Sequence, residues 1–158
     1  IRPILELIGD SDRLIHCGPL GSGSVCKIAN NLIGMTTSVV LSEAFSMGMR
    51  AGVDAQILYD VISRSTGDSY TLRTLPTSVF TRNFEPGFRL ALGAKDVRLA
   101  IDLGRSLGVP MEISNLVDQY FTEAIQLGLG PLSSTAITKL QEDRAEVKIR
   151  TNKAILPE

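Results

Sequence analysis

Lys27 and Asn31 are the residues of this 158-residue chain whose types and spacing best suit chemistry. They close the run Gly18-Pro-Leu-Gly21-Ser-Gly23-Ser-Val-Cys-Lys27-Ile-Ala-Asn-Asn31, which delivers three glycines, then a cation, then an amide. At ~100° per residue the two side chains leave nearly the same side of a helix. An amine and a carboxamide on a mostly apolar helix need a polar partner, and a bound substrate is one candidate. The plainer reading is a lysine snorkelling from a helix end. It accounts for the amine but not for Gly21, Gly23 and Asn31 beside it. A second polar group, Lys95-Asp96-Val-Arg98-Leu-Ala-Ile-Asp102, opens a later helix. Lys95 and Asp102 align two turns apart on one face, with Arg98 between them. Taken alone, this group reads as a solvated, salt-bridged surface.

Neither phosphate-loop pattern fits the glycine run. A P-loop places Lys directly after Gly, with Ser or Thr following; here Ser-Val-Cys separates Gly23 from Lys27. The dinucleotide fingerprint G-x-G-x-x-G opens a strand-to-helix turn, with an acid ~20 residues on. The order here is G-x-x-G-x-G, and Glu43 falls inside the same helix.

Composition narrows the function classes. A 44% hydrophobic and 21% charged chain of this length reads as one soluble globular domain. A net charge of −1 gives no overall field for nucleic acid or an acidic membrane. Aromatic residues make up 5% and Trp is absent, which argues against base stacking. Cys17 and Cys26 lack a metal-ligand spacing and His16 is the single histidine, so no metal is expected. The two thiols fit a reducing compartment, cytoplasm or mitochondrial matrix. The longest apolar stretch contains Glu43 and several hydroxyls, so no membrane span is expected. The chain opens abruptly at Ile1, as the end of an element, and reads as a fragment.

The pattern predicts an all-α fold, a helical bundle built around one long central helix from about Ser22 to Arg50, ~42 Å at ~1.5 Å per residue. Its wheel places Val25, Ile28, Leu32, Met35 and Val39 in an apolar sector, with Ile33, Val40 and Met47 adjoining. Small polar residues (Gly34, Ser38, Ser42) lie opposite. Glu43 falls in the apolar sector without a named partner. Gly52 stops this helix and Asp54 caps the next, over Ala55–Arg64. Short or regular helices are expected at Tyr70–Leu75, Gly93–Leu107, Pro110–Leu127 and Ser134–Ile149, with Leu14–Cys17 strand-like and a turn at Pro86-Gly87.

Gly18-x-x-Gly-x-Gly-x-x-x-Lys27-x-x-x-Asn31, then Glu43-Ala44, then Phe88-x-Leu-x-Leu-x-x-Lys95-Asp96-x-x-Leu99-Ala100, resembles the C-terminal domain of the β-hydroxyacid dehydrogenases, of the 3-hydroxyisobutyrate dehydrogenase type. The likeness runs in order over roughly residues 14 to 141. It implies that residues 1–158 are the helical substrate and dimerisation domain of a two-domain oxidoreductase, whose N-terminal Rossmann domain is absent from this chain. NAD or NADP would be bound mostly by that absent domain, and the fragment alone would not turn over. Carried over by position, the resemblance makes Lys27 the catalytic general acid/base. Gly21, Gly23 and Asn31 become substrate-binding, Lys95 cofactor-binding, and Asp102 a possible acid near the site. It implies a homodimer and a short 3-hydroxy acid as substrate: 3-hydroxyisobutyrate, tartronate semialdehyde, threonate or a short semialdehyde. One departure stands out. Family members often carry an acid in the break before the last helix, and Leu129–Ser134 has none. An imine reductase of the same fold is disfavoured by Lys27 itself. A non-catalytic all-α dimerisation module is the other alternative.

Overall fold

Helix α2, Ser22–Arg50, is 29 residues long and touches α3 to α7. The computed structural model describes residues 1–151, and among these the helices are α1 (Arg2–Ile8), α2, α3 (Ala55–Ile62), α4 (Tyr70–Arg73), α5 (Leu90–Ser106), α6 (Glu112–Gln126) and α7 (Ile137–Arg144), with 3-10 turns at Ser11–Arg13 and Ser134–Ala136. No strand occurs among the described residues; one isolated antiparallel bridge joins Arg89 to Ser133. The all-α expectation and the central helix therefore hold. Residues 14–17, expected to be strand-like, have no partner strand and form an irregular approach to α2. Length and hydropathy would also let α2 cross a membrane, but here it is packed against five other helices.

The limits of α2 follow from its punctuation. Gly21 caps the start at φ 96°, a left-handed conformation costly to any residue with a Cβ. Asp54 accepts the Gln56 N–H at 2.8 Å and so starts α3, as its type predicts. Which face of α2 points inward differs from the wheel. The buried residues are Ser38, Val39, Leu41, Ser42, Phe45, Ser46 and Gly48, whereas Ile33, Val40 and Met47 are 68%, 55% and 72% exposed. Size decides here, because small side chains let neighbouring helices come close. Serine hydroxyls cost little inside because they bond their own helix: Ser42 donates to the Ser38 carbonyl and Ser38 to that of Met35, each at 2.7 Å. Glu43 is exposed instead of buried, and accepts a hydrogen bond from the Tyr120 hydroxyl at 3.0 Å.

The core gathers Phe45, Leu72, Val79, Leu90, Val97, Phe121, Ile137 and Ile149, all almost fully buried. Each large side chain contributes ~1.5–3 kcal/mol by leaving water. Helix α5 packs tightly on α2 at Gly93, where a Cβ would stand 2.6 Å from the Met35 sulfur. It starts three residues before the expected Gly93 because a distant segment satisfies its first turn. Leu90 N–H donates to the Leu132 carbonyl at 2.8 Å and Ala91 N–H to that of Gly130 at 3.1 Å. Helix α3 ends at Ile62, α4 at Arg73, and α6 begins at Glu112, two residues past Pro110.

The last helix also departs from expectation. It ends at Arg144, not Ile149, and Glu146 turns the chain at φ 51°. Ile149 then folds back into the core, its N–H donating to Glu142 Oε1 at 2.7 Å. Glu142 is fully buried and takes its counter-charge from Arg82 across the fold.

Candidate active site

Lys27 and Asn31 lie one turn apart on α2, and α5 brings a carboxylate to both. Lys27 Nζ donates to Asp96 Oδ2, and Asn31 Nδ2 donates to the same oxygen at 2.6 Å. Lys95 Nζ approaches the other oxygen, Oδ1, at 2.8 Å, although its direction makes an ion pair and not a hydrogen bond. The Asp96 side chain is 1% exposed, while those of Lys27 and Lys95 are 52% and 56% exposed. Two half-solvated ammonium groups thus share one buried carboxylate, and the cluster keeps a net positive charge. The cations edge a cleft of about 370 Å³ whose wall includes Gly23, Ser24 and Leu99. Nothing lies within 4 Å of where a Cβ would stand on Gly21 or Gly23, so backbone at the start of α2 is open to approach. Ser22 N–H donates to the Pro19 carbonyl at 3.0 Å, and the other N–H groups of that first turn, with the helix dipole, favour an anion on the same side.

Burial opposes ionisation of Asp96, but the Lys27 and Asn31 hydrogen bonds and the nearby Lys95 ammonium outweigh it and bring its pKa from 3.8 down to about 2. The folded value lies below the unfolded one, so the ionised carboxylate favours folding. That contribution, about 2 kcal/mol, is complete above pH ~5 and disappears as pH falls from about 4 through about 2. Urea unfolding of the wild-type chain and of Asp96→Asn should therefore show a stability gap at pH 6 that narrows at pH 3. A gap independent of pH would mean that the carboxylate charge contributes nothing.

The residues named by sequence divide in two. Lys27, Lys95 and Gly23 line the cleft, Asn31 joins them through Asp96, and Gly21 caps the helix that carries Gly23, Lys27 and Asn31. Asp102 does not join them: its side chain is 65% exposed and pairs with Arg105 at 3.0 Å. Arg98 likewise turns to Asp118 and Thr122 on α6, at 2.8 and 2.9 Å. The heptad alignment of Lys95 with Asp102 was real in register, but both neighbours found partners elsewhere. Asp96 is the residue that sequence reasoning quoted without giving it a role. Its signal was position, since it falls in the same arc as Gly93, Val97 and Ala100, all of them buried. A carboxylate there must be paired. Cys17 and Cys26 are free and exposed, and the hydrogen bond and charge of Cys26 push the Cys17 thiol pKa up. Among the described residues no group of three His, Cys, Asp or Glu could hold a metal ion.

The family of this helical bundle, with two lysines and an asparagine on one buried carboxylate, follows from its likeness to known proteins. Residues 21–141 match the family described as the NAD-binding domain of NADP-dependent 3-hydroxyisobutyrate dehydrogenase, and the chain belongs to that family. It is 35% identical over 127 residues to a probable 3-hydroxyisobutyrate dehydrogenase of Mycobacterium tuberculosis, covering 75% of this chain and 42% of that protein. It is 29% identical over 150 residues to the 2-(hydroxymethyl)glutarate dehydrogenase of Eubacterium barkeri, covering 94% and 49%. Among solved structures, Mycobacterium tuberculosis 3-hydroxyisobutyrate dehydrogenase with L-serine superposes with a TM-score of 0.79 at 29% identity, covering 88% of this chain and 49% of that one. The chain spans about half the length of the curated relatives it matches.

Proposed function

We propose that this chain is the helical half of a dehydrogenase that oxidises a short 3-hydroxy acid, or reduces the corresponding semialdehyde, with Lys27 as the proton-transfer group. One observation carries the reading: the Lys27 amine and the Asn31 amide converge on buried Asp96 at the edge of an open, positively charged cleft. Similarity to a dehydrogenase solved with L-serine, itself a 3-hydroxy acid, supports the substrate class.

The residues present suit a nicotinamide cofactor. Lys95 offers a half-exposed ammonium able to donate to a ribose hydroxyl or a phosphate oxygen, and Gly23 leaves the cleft wall bare. When bound, the cofactor accepts or returns the hydride. Lys27 manages the other half of the balance: during oxidation its free amine takes the hydroxyl proton, and in reduction its ammonium gives a proton to the carbonyl oxygen. Asp96 stays ionised throughout, stabilises the ammonium that Lys27 becomes, and holds its Nζ and the Asn31 amide in register. Asn31 orients the substrate oxygen, and the net positive cleft attracts the substrate carboxylate.

Half of the Lys27 side chain faces solvent, so excluding water falls to a second lobe that binds most of the cofactor. The exposed row Ile33, Val40, Met47 on α2 supports pairing with a second copy. The test is turnover. The longer protein containing this domain should reduce NAD or NADP in the presence of 3-hydroxyisobutyrate, whereas the 158-residue chain alone should not. Absence of nicotinamide reduction by the longer protein with every short 3-hydroxy acid would end the proposal.

A further inference from the structure

Cys17 and Cys26 take no part in the proposed proton transfer, yet they stand on the two limbs of the turn that leads to Lys27. Both are free and exposed. The turn is built on Gly18, at φ 117°, and Gly21, at φ 96°, with the Ser22 N–H closing on the Pro19 carbonyl at 3.0 Å. It lays the approach segment against the start of α2: a Cβ on Gly18 would stand 3.2 Å from Ser22 Oγ. Cys26 follows Ser22 by four residues, one helical turn along the same face. Side chains on a helix lean toward its N-terminus, so the Cys26 thiol points back at the turn that carries Cys17.

The Cys17 Sγ donates to the Ile15 carbonyl at 3.6 Å, so its direction is set by its own segment. The two thiols also act on each other, since the hydrogen bond and charge of Cys26 raise the Cys17 pKa. A disulfide needs Cβ atoms ~3.5–4.5 Å apart. Residues 14–18 belong to no helix or strand, so the approach segment can adjust to that spacing without breaking a regular element.

We infer that Cys17 and Cys26 form a reversible intramolecular disulfide by exchange with a low-molecular-weight disulfide of the glutathione class, stapling the approach segment onto α2. The exchange balances in two steps. The thiolate of one cysteine attacks a sulfur of the small disulfide, forming a mixed disulfide and expelling one small thiolate. The thiolate of the other cysteine then attacks the protein sulfur, closes the internal bond and expels the second small thiolate. Two protein thiols are oxidised, and one small disulfide is reduced to two thiols. Resting on the function proposed above, the staple slows turnover as well. The approach segment leads from the cofactor-binding lobe to Lys27, and the bond would fix the turn about which the two lobes open and close.

The experiment incubates the longer protein with oxidised glutathione and digests it with trypsin without reduction. Residues 14–27 leave as one peptide holding both thiols, so the bond reads as a loss of two hydrogens that dithiothreitol reverses. Amide hydrogen exchange over residues 15–25 should slow about tenfold on oxidation. The kcat should fall about fivefold and return with dithiothreitol. Cys17→Ser and Cys26→Ser alter exposed side chains, so each should keep the reduced-state kcat and lose all three responses. A glutathione adduct in place of the internal bond, or unchanged exchange in the bonded protein, overturns the staple. A bonded protein with kcat within twofold of the reduced one overturns its effect on turnover. Absence of turnover by the reduced protein with every short 3-hydroxy acid overturns the dehydrogenase reading instead, and the peptide mass and exchange still decide the staple.

Discussion

Replacing Lys27 with methionine in the longer protein should lower kcat by about 10²–10⁴-fold, the range that general acid–base catalysis supplies, with nicotinamide cofactor affinity nearly unchanged. Methionine keeps the apolar stem and removes the amine. The side chain is 52% exposed, so its loss leaves no cavity and the fold should persist. Asp96 would retain Asn31 at 2.6 Å and Lys95 at 2.8 Å, so the carboxylate would not be stranded. The signature that separates catalysis from mere positioning lies in kcat. A group that only bound substrate would raise KM and spare kcat, whereas a lost proton carrier lowers kcat and kcat/KM together. A kcat within threefold of wild type would remove Lys27 from the chemistry.

The second large effect is on stability. Arg82→Ala should destabilise the chain by ~3–5 kcal/mol, because it leaves the carboxylate of Glu142 buried and uncompensated. That is a large share of the ~5–15 kcal/mol typical of a domain. Glu142 is fully buried, one of its oxygens has no hydrogen-bond partner, and the other bridges Arg82 and the Ile149 N–H. The double variant Arg82→Met, Glu142→Gln removes both charges and keeps an acceptor for Ile149, so it should recover most of the loss. Denaturant unfolding of the single and double variants reads this directly; a single-variant loss below ~1 kcal/mol would show that solvent reaches the pair.

How much of this was legible in the sequence depends on how local each cause was. The limits of α2 could be read because Gly21 and the Gly52–Asp54 pair act on their immediate neighbours. The start of α5 could not, since its first N–H groups are satisfied by carbonyls at Gly130 and Leu132, some 40 residues away. The end of α7 was hidden for a similar reason: Glu146, a residue with no strong turn preference, is held at φ 51° by a chain that returns to bury Ile149. The inward face of α2 was misread because the apolar sector was taken as the buried one, although the small-residue face opposite it is where neighbouring helices come close. At the site, the motif spacing announced Lys27 and Asn31, and the family resemblance added Lys95. The carboxylate that unites them stood in plain view at Asp96, in the inward arc of α5, while attention went to Asp102 one face away.

The inward serines of α2 carry one more implication. Because the hydroxyls at Ser38 and Ser42 answer to their own helix, and that of Ser46 to no partner at all, those positions set a ceiling on bulk and are nearly blind to polarity. Alanine would pass unnoticed there. A branched side chain would wedge the neighbouring helices outward, and the rigid rod would carry that tilt several turns to the amine at its other end, so a lesion far from the cleft would be felt as lost alignment within it.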